Sequence, residues 1–384
     1  MKLLYISFED EKDYSSGVNK KIVDQLNVFK SNQIDVARVS RYDRGLAYTH
    51  GFDKMIIPNN RNINRRKFLC HFINKISESY DVCYIRFQFF CPYVQKMVKV
   101  LFKKKTLIIM EVPTYPYEFE LLNKGFIGFI KLIIDMIYRI TSSKYISRFV
   151  VTLRSKPLFG RPCISVRNGI NTNDVTIVNR PINDSNEIHL IAVALMANWH
   201  AYERLIRGLH SYIKKGGQRK IIFHLVGDGE STVLYKKMVD DFELQDYIIF
   251  HGKKSGEQLN MIYNISDIGV SGLGGFRKKV YKESNLKVLE YSAKGLPVIC
   301  VAGEVAFDSQ YPYRMIVPAN ESEIKVEEIV SFYDKIYTNS NNNSLTNITI
   351  REYCKNNNDI SITFSPVIKY ILSQHMNDEY GKKG

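Results

Sequence analysis

Short apolar runs alternate with helical patterns along this chain, stop at a polar stretch, and then start again. That rhythm constrains the fold more than any single motif, because alternating βα units build parallel sheets covered by helices. Leu3–Phe8 opens as a buried strand. A polar loop ending in Ser15-Ser16-Gly17 follows, and then a helix with Val18, Ile22, Leu26 and Phe29 on one face. Further strands are predicted at 34–39, 81–87, 106–111, 149–153 and 163–166. The polar stretch 172–186 reads as a linker. Beyond it the alternation resumes with strands at 188–195, 220–226, 248–251, 268–271 and 298–301, separated by helices that include 202–214, 256–263 and 284–294. Two doubly wound α/β domains in series account for this most economically. The Asn/Ser-rich stretch 338–349 is expected to be a surface loop, and 366–375 a final helix.

The length of 384 residues supports two domains, and 45% hydrophobic with 24% charged residues is ordinary for a globular chain. No run approaches the roughly 20 apolar residues that span a bilayer. MKLLYISFED reaches acidic groups too soon for a signal-peptide core. Cys70, Cys83, Cys91, Cys163, Cys300 and Cys354 are scattered, without CxxC or partner histidines, so reduced thiols are expected and a zinc site is not. Residues 1–180 hold 30 Lys+Arg against 15 Asp+Glu, and residues 181–384 hold 24 of each. The whole excess of +15 therefore sits in the first half, with runs at 65–67 and 103–105. It points to an anionic partner there: membrane surface, phosphate-bearing lipid or nucleic acid.

Gly125–Thr141 is a strongly amphipathic helix with Phe126, Phe129, Ile130, Ile133, Ile134 and Ile137 on one side. That face is expected to pack on the sheet, with insertion into a membrane surface as the alternative.

Two glycine-containing turns are candidates for ligand contact. Gly227 and Gly229 lie in Val226-Gly227-Asp228-Gly229, between a strand and a helix, where glycine serves either a tight turn or the approach of a ligand. Ser271-Gly272-Leu273-Gly274-Gly275 leads toward a helix that opens with Ser284-Asn285-Leu286-Lys287. Such a start offers backbone N–H groups and a positive dipole end to a phosphate. Lys287 sits near that end, and Glu290 follows three residues later on the same face, placed to accept ribose hydroxyls. A capped helix with a surface Lys–Glu pair is the plainer reading. In the first half, Arg86 ends a strand and Glu111 ends another before Val112-Pro113-Thr114-Tyr115-Pro116-Tyr117. Aromatics beside a carboxylate suit a sugar ring, and Arg86 suits an acceptor phosphate. The alternative is that Arg86 and Glu111 form a salt bridge with each other.

The order VGDGE, Phe250-His251-Gly252, SDIGVS and KESNLKVLEYSAKGLPVI resembles the carboxyl domain of retaining GT-B glycosyltransferases of the family-four group. The opening strand–Gly17–helix and the stretch Asn168-Gly169-Ile170-Asn171 are similar to that family's first element and domain junction. Glu111–Tyr117 and Trp199–Ile206 look like a subgroup of bacterial surface-polysaccharide transferases. The resemblance spans nearly the whole chain. It implies two Rossmann-like domains facing a cleft: 1–175 for the acceptor, 183–360 for the nucleotide sugar, and a tail at 361–384 packing back toward the first. It also departs from the family. Counting eight back from Glu290 lands on Lys282, with Glu283 one place late, and the family's diphosphate-binding Arg and Lys fall at Leu195 and His200. Lys287, helped by His200 or Arg204, is expected to supply the missing charge.

By this resemblance the chain is a retaining transferase that moves a sugar from a nucleotide-diphosphate donor to a lipid-linked or oligosaccharide acceptor. Lys287, Glu290 and Glu111 are its expected catalytic groups. Gly17, His200, Arg204, Gly227, Gly229, Ser271, Gly272, Leu273, Ser284, Asn285 and Leu286 are expected on the donor side, and Arg86, Thr114 and Tyr115 on the acceptor side. No cofactor beyond the sugar nucleotide is expected, and no metal, because no DxD pair is present. The expected location is cytoplasmic, peripheral at the inner face of the plasma membrane. A nucleic-acid partner is not expected, since no binding module appears. A non-catalytic sugar-nucleotide-binding subunit of a polysaccharide assembly is the rival reading.

Overall fold

The computed structural model describes residues 1–13, 17–61, 63–76, 79–87, 89–122, 125–179, 186–337 and 343–381. The chain divides into two compact units, Met1–Arg167 with Thr363–Gly384, and Asn168–Ile362.

The first unit contains β1 (Lys2–Asp10), α1 (Gly17–Ser31), β2 (Asp35–Tyr42), β3 (Gly45–His50), β4 (Asp53–Ile57), α2 (Arg65–Lys75), β5 (Val82–Arg86), α3 (Pro92–Lys103), β6 (Leu107–Val112), α4 (Glu118–Leu122), α5 (Gly125–Ser143), β7 (Arg148–Thr152) and β8 (Cys163–Val166). Its sheet runs β4-β3-β2-β1-β5-β6-β7-β8. β1 pairs in parallel with both β2 and β5, whereas β3 folds back antiparallel on β2 and β4 antiparallel on β3. This hairpin extension lies outside the expected alternation. The interior strands are apolar on both faces, as Leu3, Tyr5, Tyr84, Ile109 and Phe149 are all buried, and that is the mark of a sheet covered on both sides.

The second unit contains β9 (Glu187–Val193), α6 (Glu203–Lys214), β10 (Lys220–Val226), α7 (Thr232–Asp241), β11 (Ile248–Gly252), α8 (Gly256–Asn264), β12 (Ile268–Val270), α9 (Leu286–Ala293), β13 (Val298–Val301), β14 (Arg314–Val317), α10 (Val326–Tyr337) and α11 (Asn343–Asn358). Its described strands form one parallel sheet, β11-β10-β9-β12-β13-β14. The strand order reverses between β9 and β12, so the loops that follow those two strands border the crevice where such sheets bind ligands. α12 (Ile360–Thr363) and α13 (Ser365–Gly381) complete the chain.

Three expectations change. The first unit ends at Arg167 rather than at 175. Asn168 donates its amide proton to Ser284 Oγ (2.9 Å), Thr172 donates to Asp359, and Val175 is buried among Tyr291 and Leu296, which fixes this segment to the second unit. The Asn/Ser-rich stretch is not all loop. Positions 338–342 lie outside the described residues, but from Asn343 the chain is helical. Ile350 and Cys354 are buried, and Arg351 Nη1 donates to the carbonyls of Val175 and Ala293. Finally, the apolar face of α5 does not pack on the sheet. Phe126, Phe129, Ile130, Ile133 and Ile137 are exposed, and only Ile134 of the expected stripe is partly covered.

Candidate active site

At the switch point of the second unit, the loop after β9 makes a 3-10 turn at Asn198–His200, and Ala201 then adopts a left-handed conformation that turns the chain into α6. The loop after β12 is laced over it. Leu273 N–H donates to the His200 carbonyl (2.8 Å). A Cβ on Gly274 would lie 2.7 Å from the Ala201 Cβ, so this approach requires glycine. Gly272 passes beside the His200 ring, and Ser271 Oγ is buried with no hydrogen-bond partner among the described residues.

His200 is buried, and its Nδ1 accepts the Ala197 N–H (3.1 Å). Its Nε2 lies 2.8 Å from Lys287 Nζ. A neutral ring offers one lone pair, and here two donors face it, the Ala197 amide and a charged Lys287. Burial, then the charges of Lys287 and Lys278, push His200 down to about 3, so the ring is neutral. Burial and Lys278 push Lys287 down to about 8, against smaller opposing effects of Glu283 and Glu290. An amine held this way gains by meeting an anion, which stabilises its charged form and frees the ring to serve Ala197 alone.

Lys287 stands in the first turn of α9. The Asn285 side chain does not cap this helix but turns back to Glu283 (2.5 Å), so among the described residues the first-turn N–H groups have no side-chain cap. Asn285 N–H donates to Glu304 (3.1 Å), whose carboxyl is pushed up to about 7 by burial. Lys278 lies in the 3-10 turn Gly275–Lys278, 4.4 Å over the Trp199 ring. Two lysines, two loop segments and a helix N-terminus therefore converge. A diphosphate has the charge and the acceptors to satisfy them all.

Not every expected donor-side residue is free to join. Arg204 is completely buried, and its guanidinium donates to the carbonyls of Ser322 (2.7 Å), Leu273 (2.6 Å) and Pro318 (2.8 Å). It positions the loop after β12 instead of supplying charge to a ligand. Leu273 is a core side chain whose N–H and carbonyl are both taken. Ser284 joins Asn168 through both its hydroxyl and its carbonyl. Gly227 and Gly229 are explained by packing: added Cβ atoms would lie 1.9 Å from the Ala194 carbonyl oxygen and 2.3 Å from that of Met196. Leu286 is more than a third exposed and Glu290 half-buried, both on α9 beside Lys287.

Glu283 is half-buried, close enough to Gly275 that a Cβ there would lie 1.8 Å from its Oε1, whereas Lys282 is exposed. Burial raises its carboxyl above the ordinary glutamate value. Lys278, Glu304 and Arg277 went unnoticed in the sequence. The signal for Arg277 and Lys278 was Gly275-Phe276-Arg277-Lys278-Lys279, a basic run at the end of the glycine loop. Arg277 reaches Asn198, Glu203 and Glu321, and so ties this loop to α6.

In the first unit, Glu111 and Arg86 pair with each other. Glu111 accepts from Arg86 (2.9 Å), Gln25 (3.1 Å) and Tyr84 (3.1 Å), with Lys21 Nζ at 3.3 Å. Burial alone would raise Glu111, but Arg86 and Lys21 outweigh it and hold the carboxyl down to about 2. Protein donors among the described residues thus occupy its oxygens, as in a structural carboxylate. Arg86 also lines a cavity of about 560 Å³ at the carboxyl ends of β1, β5 and β6, together with Thr114, Arg66, Phe89, Lys131 and Glu9. Tyr115 does not line it; Arg154 lies 4.7 Å over its ring. Gly17 begins α1, next to residues 14–16, which lie outside the described residues.

Residues 187–334 match the family model described as "Glycosyl transferases group 1". No curated protein matches the chain. Among solved structures, a glycosyltransferase from Rickettsia africae ESF-5 is similar with a TM-score of 0.61 at 14% identity, covering 96% of this chain and 97% of that one. The Anabaena protein HepE, solved in complex with UDP, is similar with a TM-score of 0.61 at 11% identity, covering 97% and 100%. The lipopolysaccharide outer core galactosyltransferase WaaB, in its apo form, is similar with a TM-score of 0.55 at 14% identity, again covering 97% and 100%. At these identities the likeness establishes the fold. Two Rossmann-like units with parallel sheets match the GT-B architecture.

Proposed function

We propose that this chain is a glycosyltransferase whose second unit binds a nucleotide-diphosphate sugar at the β9/β12 switch point. One observation carries the reading. A half-buried Lys287 faces a neutral His200 at the start of α9, with Lys278 close by, inside the region that matches the group 1 family model. Lys287, Lys278 and the first-turn N–H groups of α9 would hold the diphosphate, and Glu290 the ribose. HepE, a protein of like fold, was solved with UDP, which suits a diphosphate there.

In the proposed reaction the acceptor hydroxyl oxygen bonds to the anomeric carbon as the bond to the β-phosphate oxygen breaks on the same face. The hydroxyl proton passes to the departing diphosphate, and configuration is retained. Charge developing on the leaving group is matched by cations and helix dipole that are already in place. No divalent ion is assigned a part. The acceptor is proposed to be a lipid-linked saccharide of a surface polysaccharide, met at the inner face of a plasma membrane, with the mainly cationic Arg86 cavity as the contact for its phosphate. Incubation of the full chain with uridine and guanosine diphosphate sugars and a lipid-linked acceptor extract tests the reading. Nucleoside diphosphate release that depends on acceptor, with an α-linked product from an α-linked donor, is expected.

A second reading, a non-catalytic sugar-nucleotide-binding subunit, is favoured by Lys282 at the place of the family's first glutamate and by Glu283 being engaged with Asn285. Tight nucleotide binding without release from any donor would select it.

A further inference from the structure

Helix α5 is built inside out. An amphipathic helix on a globular unit turns its apolar stripe to the core and its charges to water. Here Asp135 is buried on the inner side. It accepts from the Phe90 N–H (2.6 Å), the Tyr117 hydroxyl (2.8 Å) and Arg139 Nε (2.9 Å) and Nη2 (2.6 Å). Those four bonds fix the helix rotation, because any other would strip a buried carboxylate of its partners. The opposite face then points outward. Phe126, Phe129, Ile133, Met136, Ile137 and Ile140 are each between 44% and 76% exposed. With Ile127 and Ile130 the patch offers roughly 900 Å² of accessible surface, taking about 200 Å² for a fully exposed large side chain. Exposed apolar patches on monomers are typically a few hundred Å².

The surroundings of this stripe are cationic. α3 packs beside α5 through Gln95 and Thr141 (2.6 Å), contains no acidic residue, and presents exposed Lys96, Lys99 and Lys103 with exposed Phe102 among them. The only acidic residue of α5 is the buried Asp135. At the carboxyl end of α5, Arg161 Nε donates to the Ser143 carbonyl (3.0 Å). A cavity of about 560 Å³ opens there, lined by Lys105, Lys144, Arg148, Arg161, His375 and Asp81. Among the described residues no helix is long and apolar enough to cross a membrane.

We propose that α5 lies in the plane of an anionic lipid bilayer, its apolar stripe among the acyl chains and its lysine rim at the headgroups. An apolar stripe bordered by lysines, with no exposed carboxylate on either helix, is complementary to that surface. A second copy of the chain would set the same lysines against each other. The docking does not depend on the reaction proposed above, and a lipid-linked acceptor would gain from it.

Flotation of the full chain with phosphatidylcholine vesicles, and with vesicles that also contain phosphatidylglycerol, is the test. Binding to the anionic vesicles is expected, weakened by salt. Ile133→Asn with Ile137→Asn should lower it at least about tenfold while the unfolding midpoint is kept, since both positions are exposed. Lys99→Glu with Lys103→Glu should remove its salt dependence. Equal binding to both vesicle types, or equal binding by the isoleucine variant, overturns the proposal. So does a dimer in sedimentation that this variant abolishes while no vesicle binds; a second copy then covers the stripe.

Discussion

Replacing Lys287 by Met keeps most of the apolar stem and removes the amine that faces His200. In the free protein this amine has been pushed from 10.5 down to about 8, chiefly by burial and then by Lys278. A displacement of that size corresponds to about 3 kcal/mol, which a bound diphosphate can return by pairing with the ammonium. The sign follows from linkage. The complex keeps Lys287 protonated to a higher pH than the free protein does, so between those two values binding takes up a proton and affinity falls as pH rises. With a free value near 8, affinity for a nucleoside diphosphate should drop about tenfold between pH 7 and pH 9, and about nine-tenths of a proton should be taken up at pH 9. The ligand phosphates are already ionised there and contribute little. Calorimetric titration in two buffers of different ionisation enthalpy measures the uptake directly. Lys287→Met should abolish it, flatten the pH dependence, and lose about 1.5–3 kcal/mol of binding at pH 7. Proton uptake near zero in the wild type, with the same pH profile in the variant, would refute the placement of Lys287 against the ligand.

Glu290→Gln should weaken nucleotide affinity by about 1–3 kcal/mol through loss of a charged hydrogen bond to ribose; unchanged affinity in the same calorimeter removes Glu290 from the site. Arg204→Met should destabilise the fold by at least about 3 kcal/mol in urea unfolding, because three buried carbonyls lose a charged donor. Glu111 is held down to about 2 from 4.5, so its stabilising contribution, about 3 kcal/mol, is complete above pH 4.5 and lost as pH falls toward 2. Glu111→Gln should therefore lower stability at pH 7 and remove that part of the acid transition, read as unfolding free energy against pH.

The alternation of strands and helices was legible because each interior strand is apolar on both faces and each covering helix repeats its apolar residues at helical spacing. Strands Cys163–Val166, Lys220–Val226 and Val298–Val301 begin and end where the pattern does. The hairpin β3–β4 escaped, since every residue of β4 is at least partly exposed and the strand lacks a core signature. The outward rotation of α5 was hidden for a different reason. Hydrophobic periodicity reports which residues share a face, whereas the direction of that face is set by Asp135 binding Phe90 and Tyr117 across 45 and 18 residues. At the site, Lys287 could be singled out from its place at a helix start, but its pairing with His200 joins positions 87 residues apart. Arg204 shows the converse. Composition marks an arginine after a strand as a ligand group, and only packing reveals three carbonyls waiting for it.

The most direct measurement is a crystal structure of the chain with uridine or guanosine diphosphate, whichever binds more tightly. The β-phosphate is expected within hydrogen-bond distance of Lys287 Nζ and of the first-turn N–H groups of α9, with His200 released to the Ala197 amide. A nucleotide seated instead in the Arg86 cavity, or at the Gly227 turn, would contradict it.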